Sequence, residues 1–339
     1  MTLTLVGRRP VLTPDELIAA LVPPPHFAEA SFDSYRPDPA HPSQADALAR
    51  VREFAAPHLR RSWWSGRGRS RSGAAQGSGL YLDGGFGVGK THLLAALAFA
   101  VGERAAFGTF VEYTNLVGAL GFAAARAALG RFEVVCIDEF ELDDPGDTLI
   151  MARLMRELTD AGVDVAATSN TLPDALGEGR FAAEDFRREI QAVAALFDTV
   201  RIDGPDYRHR GDLEFPPPAT SADLDALAAT DGTVRVAWAD LIEDLAQVHP
   251  SRYGAYVDGL RAVAIDDAEP LGDQNQALRL VALVDRLYDR NVVLLASGVP
   301  LTEVFTPEMM RGGYRKKYLR ALSRLESMAH AAIEHTRPV

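Results

Sequence analysis

The sequence predicts an α/β fold, a five-stranded parallel sheet between helices, from three observations. The glycine-rich stretch Gly84-Gly85-Phe86-Gly87-Val88-Gly89-Lys90-Thr91 fits G-x-x-x-x-G-K-[ST] at every fixed position. It lies between a short apolar run, Gly79 to Asp83, and a helix-like run, Leu93 to Phe99, the strand–loop–helix setting in which such a loop cradles phosphates. Further on, Glu133-Val134-Val135-Cys136-Ile137-Asp138-Glu139 is continuously apolar and ends in two acids, as a central strand buried on both faces does.

The elements follow in order. Residues 1–30 are proline-rich and read as a flexible tether with one short helix from Asp15 to Leu21. Residues 31–79 hold a lead-in with Phe32 and Tyr35, a helix from Ser43 to Phe54 capped by Ser43, and a basic stretch from Arg60 to Arg71 that includes Trp63 and Trp64. Phe32 and Tyr35 read either as neighbours of an adenine ring or as core anchors. The basic stretch reads as a surface loop or as a contact for an acidic partner or single-stranded nucleic acid.

Residues 80–210 form the core. After the phosphate loop come a strand at Gly108–Tyr113, a helix of small residues, the acid-tipped strand, a helix from Asp147 to Asp160 and a strand from Val163 to Asn170. A helix from Glu184 to Phe197 and a fifth strand, Asp198–Ile202, complete it. In this pattern Gly84, Gly85, Phe86, Gly87, Val88, Gly89, Lys90, Thr91 and His92 contact a nucleotide, with Lys90 against its β- and γ-phosphates. Thr91 and Asp138 hold Mg²⁺, Glu139 activates the attacking water, and Asn170 senses the γ-phosphate or the water. Ser169 and Asn170 also read as simple turn caps before Pro173.

Residues 211–339 open with Pro216-Pro217-Pro218 and an acidic helix. They contain an echo: Ala262-Val263-Ala264-Ile265-Asp266-Asp267, a helix, then Val292 to Ser297. With no phosphate loop before it, the echo reads as structural rather than as a second site. A basic entry from Arg311 leads to an amphipathic helix ending near Ala332.

The composition sets limits. The chain has 339 residues, 47% of them hydrophobic, and a net charge of −12. Such an acid excess excludes a surface that coats nucleic acid generally. No apolar run approaches the roughly 20 residues of a membrane helix. The start, Met1 to Val6, is unlike a signal peptide, and Cys136 is the sole cysteine, so a cytoplasmic location is expected. His249, His330 and His335 lack metal-ligand spacing.

Together these residues resemble the AAA+ ATPases and, more narrowly, the ZapE and AFG-type family. The narrower likeness rests on Val281-Ala282-Leu283-Val284-Asp285-Arg286-Leu287-Tyr288-Asp289 and Ser323-Arg324-Leu325-Glu326-Ser327-Met328. The resemblance implies an AAA+ core with a C-terminal α/β or α-helical lid-like region. It also implies ATP and Mg²⁺ as cofactors, assembly into a ring or partial ring, and a polymer client such as FtsZ in cell division. The family's basic cluster falls on Ala183, Glu184 and Asp185, leaving Arg180, Arg187, Arg188, Arg208 and Arg210 as arginine-finger candidates; Arg279 and Arg324 are candidate lid sensors. Alternatives are a helicase-loader-like ATPase on single-stranded DNA and a nucleotide-gated adaptor.

Overall fold

The computed structural model describes residues 4–61, 76–85, 87–140, 145–172, 187–204 and 215–336. These form two compact units, one made of Thr13–Pro23 and Phe27–Arg210, the other of Met1–Leu12, Pro24–His26 and Gly211–Val339.

The phosphate-loop unit begins with α1 (Pro14–Ala19), whose N-terminus carries a reciprocal Thr13–Glu16 capping box. Leu21 beyond it is buried, and its carbonyl accepts from the Phe107 N–H at 2.9 Å, so this part of the expected tether is docked. Helix α2 spans Pro42–Arg61, longer at both ends than the sequence predicts. It passes through Pro57 because Pro57 and Glu53, whose carbonyl loses its partner there, are both exposed to water. Ser43 is not the cap: its hydroxyl accepts from the Asp203 N–H at 2.9 Å.

Then follow β1 (Gly79–Gly84), α3 (Lys90–Val101), β2 (Ala105–Thr109), α4 (Phe110–Leu120), α5 (Phe122–Leu129) and β3 (Val134–Asp138). The unit closes with α6 (Pro145–Asp160), β4 (Asp164–Ser169), α7 (Arg187–Ala194) and β5 (Asp198–Ile202). The strand expected at 108–113 is displaced. Thr109 and Glu112 form a capping box that starts a helix at Phe110, overriding the strand preference of Phe110, Val111 and Tyr113.

The five strands are parallel in the order β2-β3-β4-β1-β5. β1, β3 and β4 are buried almost throughout, which explains their unbroken apolar runs. Cys136, midway along β3, is fully buried, and burial pushes its thiol pKa well up. At the amino end of the sheet, His58 of α2 bridges Glu133 at 3.1 Å and Asp164 at 2.8 Å. Arg104 also binds Glu133, at 2.8 Å.

The C-terminal unit contains α8 (Ser221–Ala228), β6 (Thr233–Ala237), α9 (Trp238–Gln247), the single turn α10 (Tyr253–Tyr256), β7 (Ala262–Ala268), α11 (Gln274–Asp289), β8 (Val293–Gly298) and α12 (Arg315–Thr336). Its sheet is parallel, ordered β6-β7-β8, so the echo is a true strand–helix–strand repeat. Leu5, from the other part of the expected tether, is buried in this core, and Arg9 binds Asp244 at 2.8 Å. Among the described residues no helix is long and apolar enough to cross a membrane.

Candidate nucleotide site

β1 delivers the chain into the phosphate loop, and α3 begins at Lys90, aiming its N-terminal amides at whatever the loop holds. Gly87 and Gly89 have φ of 74° and 88°, a left-handed backbone that favours glycine. Gly89 is doubly constrained, since a Cβ there would stand 2.5 Å from Cε2 of Tyr35. Phe86 lies outside the described residues.

Lys90 is largely buried, and its Nζ donates to the carbonyl of Gly84 at 2.8 Å, to that of Gly85, and to Oδ1 of Asn170 at 2.9 Å. Asn170 therefore meets the phosphate-loop lysine, while turn capping falls to Ser169, whose hydroxyl accepts from the Thr171 N–H at 3.1 Å. Asp138, at the carboxyl end of β3, accepts from the Thr91 hydroxyl at 3.1 Å and from the Thr168 hydroxyl. Glu139 follows with φ of 53°, rare for a residue with a side chain, and its N–H donates to Thr168 Oγ1 at 3.1 Å. The structure thus brings together Lys90, Thr91, Asp138, Glu139 and Asn170 from three elements distant in sequence.

Thr168 escapes the sequence reading, although it ties both acids to β4. Its signal was register: Ile137 pairs with Ala167, so Asp138 and Thr168 are the next residues along adjacent strands. The lead-in also gains a role. Tyr35 is buried and its hydroxyl donates to the Val88 carbonyl at 3.0 Å, which makes it a core anchor against the loop. Phe32 is half-buried beneath Arg52. His92, expected among the nucleotide contacts, places Nε2 at 3.0 Å from the Ser34 hydroxyl and 3.1 Å from the Ser31 carbonyl.

Of the arginines, Arg188 is exposed on α7, and Arg187 begins that helix. Arg180, Arg208 and Arg210 lie outside the described residues, as do Trp63, Trp64 and the basic stretch from 62 to 71. Arg279 is on α11, in the C-terminal unit. Arg324, on α12, pairs with the buried Asp285, as Arg320 does at 2.7 Å. Burial raises the Asp285 pKa, but the charges of Arg320 and Arg324 outweigh it and bring it below the usual carboxylate range.

The donor set fits a magnesium nucleotide. Neighbouring oxygens around octahedral Mg²⁺ are about 3 Å apart, given metal–oxygen distances of about 2.1 Å. The Thr91 Oγ1 to Asp138 Oδ1 separation of 3.1 Å matches that spacing.

The phosphate loop on β1, the acid-tipped β3 and the strand β4 inserted between them define the AAA+ class of P-loop ATPases. The sequence pattern of the AFG1-like ATPases matches residues 11–222 and 219–336, and the chain belongs to that family. It is 30% identical over 297 residues to the cell division protein ZapE of Escherichia coli K12, covering 74% of this chain and 77% of that one. It is also 28% identical over 148 residues to the uncharacterized protein C115.02c of Schizosaccharomyces pombe, covering 38% of this chain and 33% of that one. Among solved structures, DnaI is similar at 18% identity and a TM-score of 0.41, covering 55% of this chain and 97% of that one. The replication initiator DnaA bound to AMPPCP and single-stranded DNA gives 12% identity and 0.39, covering 91% and 95%.

Proposed function

We propose that the protein is a cytoplasmic ATPase that hydrolyses ATP at the phosphate loop and uses the cycle to remodel a protein polymer in cell division. The observation that carries the hydrolytic reading is the meeting of Lys90, Thr91, Asp138 and Asn170 around one end of the sheet. The loop amides and Lys90 bind the β- and γ-phosphates, which requires the lysine to exchange its present carbonyl partners for phosphate oxygens. Thr91 and Asp138 hold Mg²⁺, which when bound neutralises phosphate charge. Glu139 takes a proton from the attacking water as the oxygen–phosphorus bond forms and the bond to the leaving ADP breaks. Asn170 orients the γ-phosphate or that water.

Cell division as the setting comes from the name of the Escherichia coli relative, and an FtsZ-type polymer is the client to test. Glu139→Gln is expected to bind ATP yet turn it over about 10²- to 10⁴-fold more slowly, the usual worth of a positioned base. Hydrolysis should rise with protein concentration if a neighbouring copy supplies an arginine, and rise again with FtsZ polymer. Wild-type turnover in Glu139→Gln would overturn the site; indifference to the polymer would overturn the client.

A further inference from the structure

We infer that Tyr35 is a positioning residue for the phosphate loop, setting the direction of a loop amide through the carbonyl on the same peptide. This deepens the proposed nucleotide reading and rests on it. The Tyr35 hydroxyl donates to the Val88 carbonyl at 3.0 Å, with both groups buried. In a trans peptide the C=O and the N–H point opposite ways, so a carbonyl drawn toward Tyr35 turns the Gly89 N–H away from it. That is the disposition an anion cradle needs of its glycine amides. The same ring packs against the Cα of Gly89, so closely that no side chain fits at that position. Hydroxyl and ring therefore fix the two halves of one peptide.

The turn that presents Tyr35 is itself held. The Ser31 N–H donates to Ser34 Oγ at 2.9 Å, and the Ser34 N–H returns to Ser31 Oγ at 3.0 Å. His92, in the first turn of α3, meets both the Ser34 hydroxyl and the Ser31 carbonyl, and its ring lies 5.8 Å from that of Tyr35. The lead-in is thus tied to the loop and to the helix behind it. An ideal glycine-rich loop has many conformations to lose on binding, and an external brace that removes them beforehand raises affinity.

The discriminating variant is Tyr35→Phe, which keeps the ring on Gly89 and drops only the hydroxyl. Binding of ATP and of inorganic tripolyphosphate would be titrated in the wild type, Tyr35→Phe and Lys90→Ala, alongside the melting temperature without nucleotide. The expected result is a loss of about three- to tenfold in affinity for both ligands, as one hydrogen bond is worth, with the melting temperature lowered by only a few degrees so that the protein stays folded during the titration. In turnover, KM for ATP rises by that factor while kcat holds. If the wild type binds ATP, Lys90→Ala does not, and Tyr35→Phe matches the wild type, the inference is overturned alone. A loss confined to ATP and absent for tripolyphosphate overturns it too, because the hydroxyl would then act on the nucleoside. A wild type that binds neither ligand overturns the nucleotide reading and this inference with it.

Discussion

At the carboxyl end of β3, Asp138 accepts from the hydroxyls of Thr91 and Thr168; at the carboxyl end of β7, Asp266 is gripped by Arg235 through Nε at 2.8 Å and Nη2 at 2.7 Å. The backbones agree closely. Each first acid is followed by a left-handed residue with a side chain, Glu139 just beyond β3 at φ 53° and Asp267 in the irregular end of the β7 ladder at φ 56°. Each of these donates its N–H to a hydroxyl of the next strand, Thr168 at 3.1 Å and Ser297 at 2.9 Å. What differs is the neighbouring element. In one unit the helix after the phosphate loop brings the Thr91 hydroxyl to the acid, whereas in the other a guanidinium already neutralises the acid and lowers its pKa. An acid at a strand end is therefore a property of the fold, and its chemistry is set by what stands opposite.

Removing the first acid of each pair tests this contrast most severely. Asp138→Asn is expected to slow ATP hydrolysis by about 10²- to 10³-fold, on the scale of a lost electrostatic contact in a transition state. Asp266→Asn should leave steady-state hydrolysis within about twofold and lower the melting temperature instead. Equal losses of turnover from both would break the comparison.

The hydroxyls come next. Thr168→Val removes a hydrogen bond to a carboxylate, worth about 1.5–3 kcal/mol, so turnover should fall by about tenfold or more. Ser297→Ala removes only a partner of a backbone N–H and should cost about 0.5–1 kcal/mol in denaturant unfolding, with turnover intact. The left-handed residues give a smaller effect. Asp267→Gly exchanges a conformational penalty of about 1–2 kcal/mol for the about 0.5–1 kcal/mol entropic cost of glycine. A net gain of about 0.5 kcal/mol is expected, while Glu139→Gly should abolish turnover whatever it does to stability.

The smallest effects are in pH dependence, where the units diverge in sign. Burial opposes charge on His58, but hydrogen bonds to Asp164 and Glu133 outweigh it and raise the pKa above 6.5. A raised value in the folded state means the His58 contribution is complete below the unfolded pKa and is lost as pH rises through the folded one. Asp266 is lowered by its hydrogen bonds to Arg235, so its contribution is present above the unfolded pKa and disappears as pH falls through the folded one. The difference in melting temperature between the wild type and His58→Gln should narrow as pH rises above about 6.5; that for Arg235→Gln should hold there and narrow only below about pH 4.

The sequence made the five-strand core legible because buried parallel strands are unbroken apolar runs and the phosphate loop has fixed spacing. It placed Lys90, Thr91, Asp138 and Glu139 for the same reason. β2 was misplaced because Phe110, Val111 and Tyr113 favour strands, while the Thr109–Glu112 box that makes them helical is a local hydrogen-bond pattern. β6 went unread because Arg235 interrupts its apolar pattern, although that arginine is what silences Asp266. Thr168 and Tyr35 needed strand register and tertiary packing, which no local pattern encodes. Of the arginine candidates, Arg324 is engaged in an ion pair, Arg187, Arg188 and Arg279 lie on helices, and Arg180, Arg208 and Arg210 fall outside the described residues.

Cys136 turns the asymmetry between the units into a measurement. It is the chain's sole thiol, fully buried in the central region of the five-stranded sheet. A thiol reagent can reach it only through opening of that sheet, so the labelling rate reports how often the phosphate-loop unit opens and is blind to the other unit. Bound nucleotide should slow the labelling by the factor 1 + [ATP]/Kd, since only the closed sheet holds the ligand.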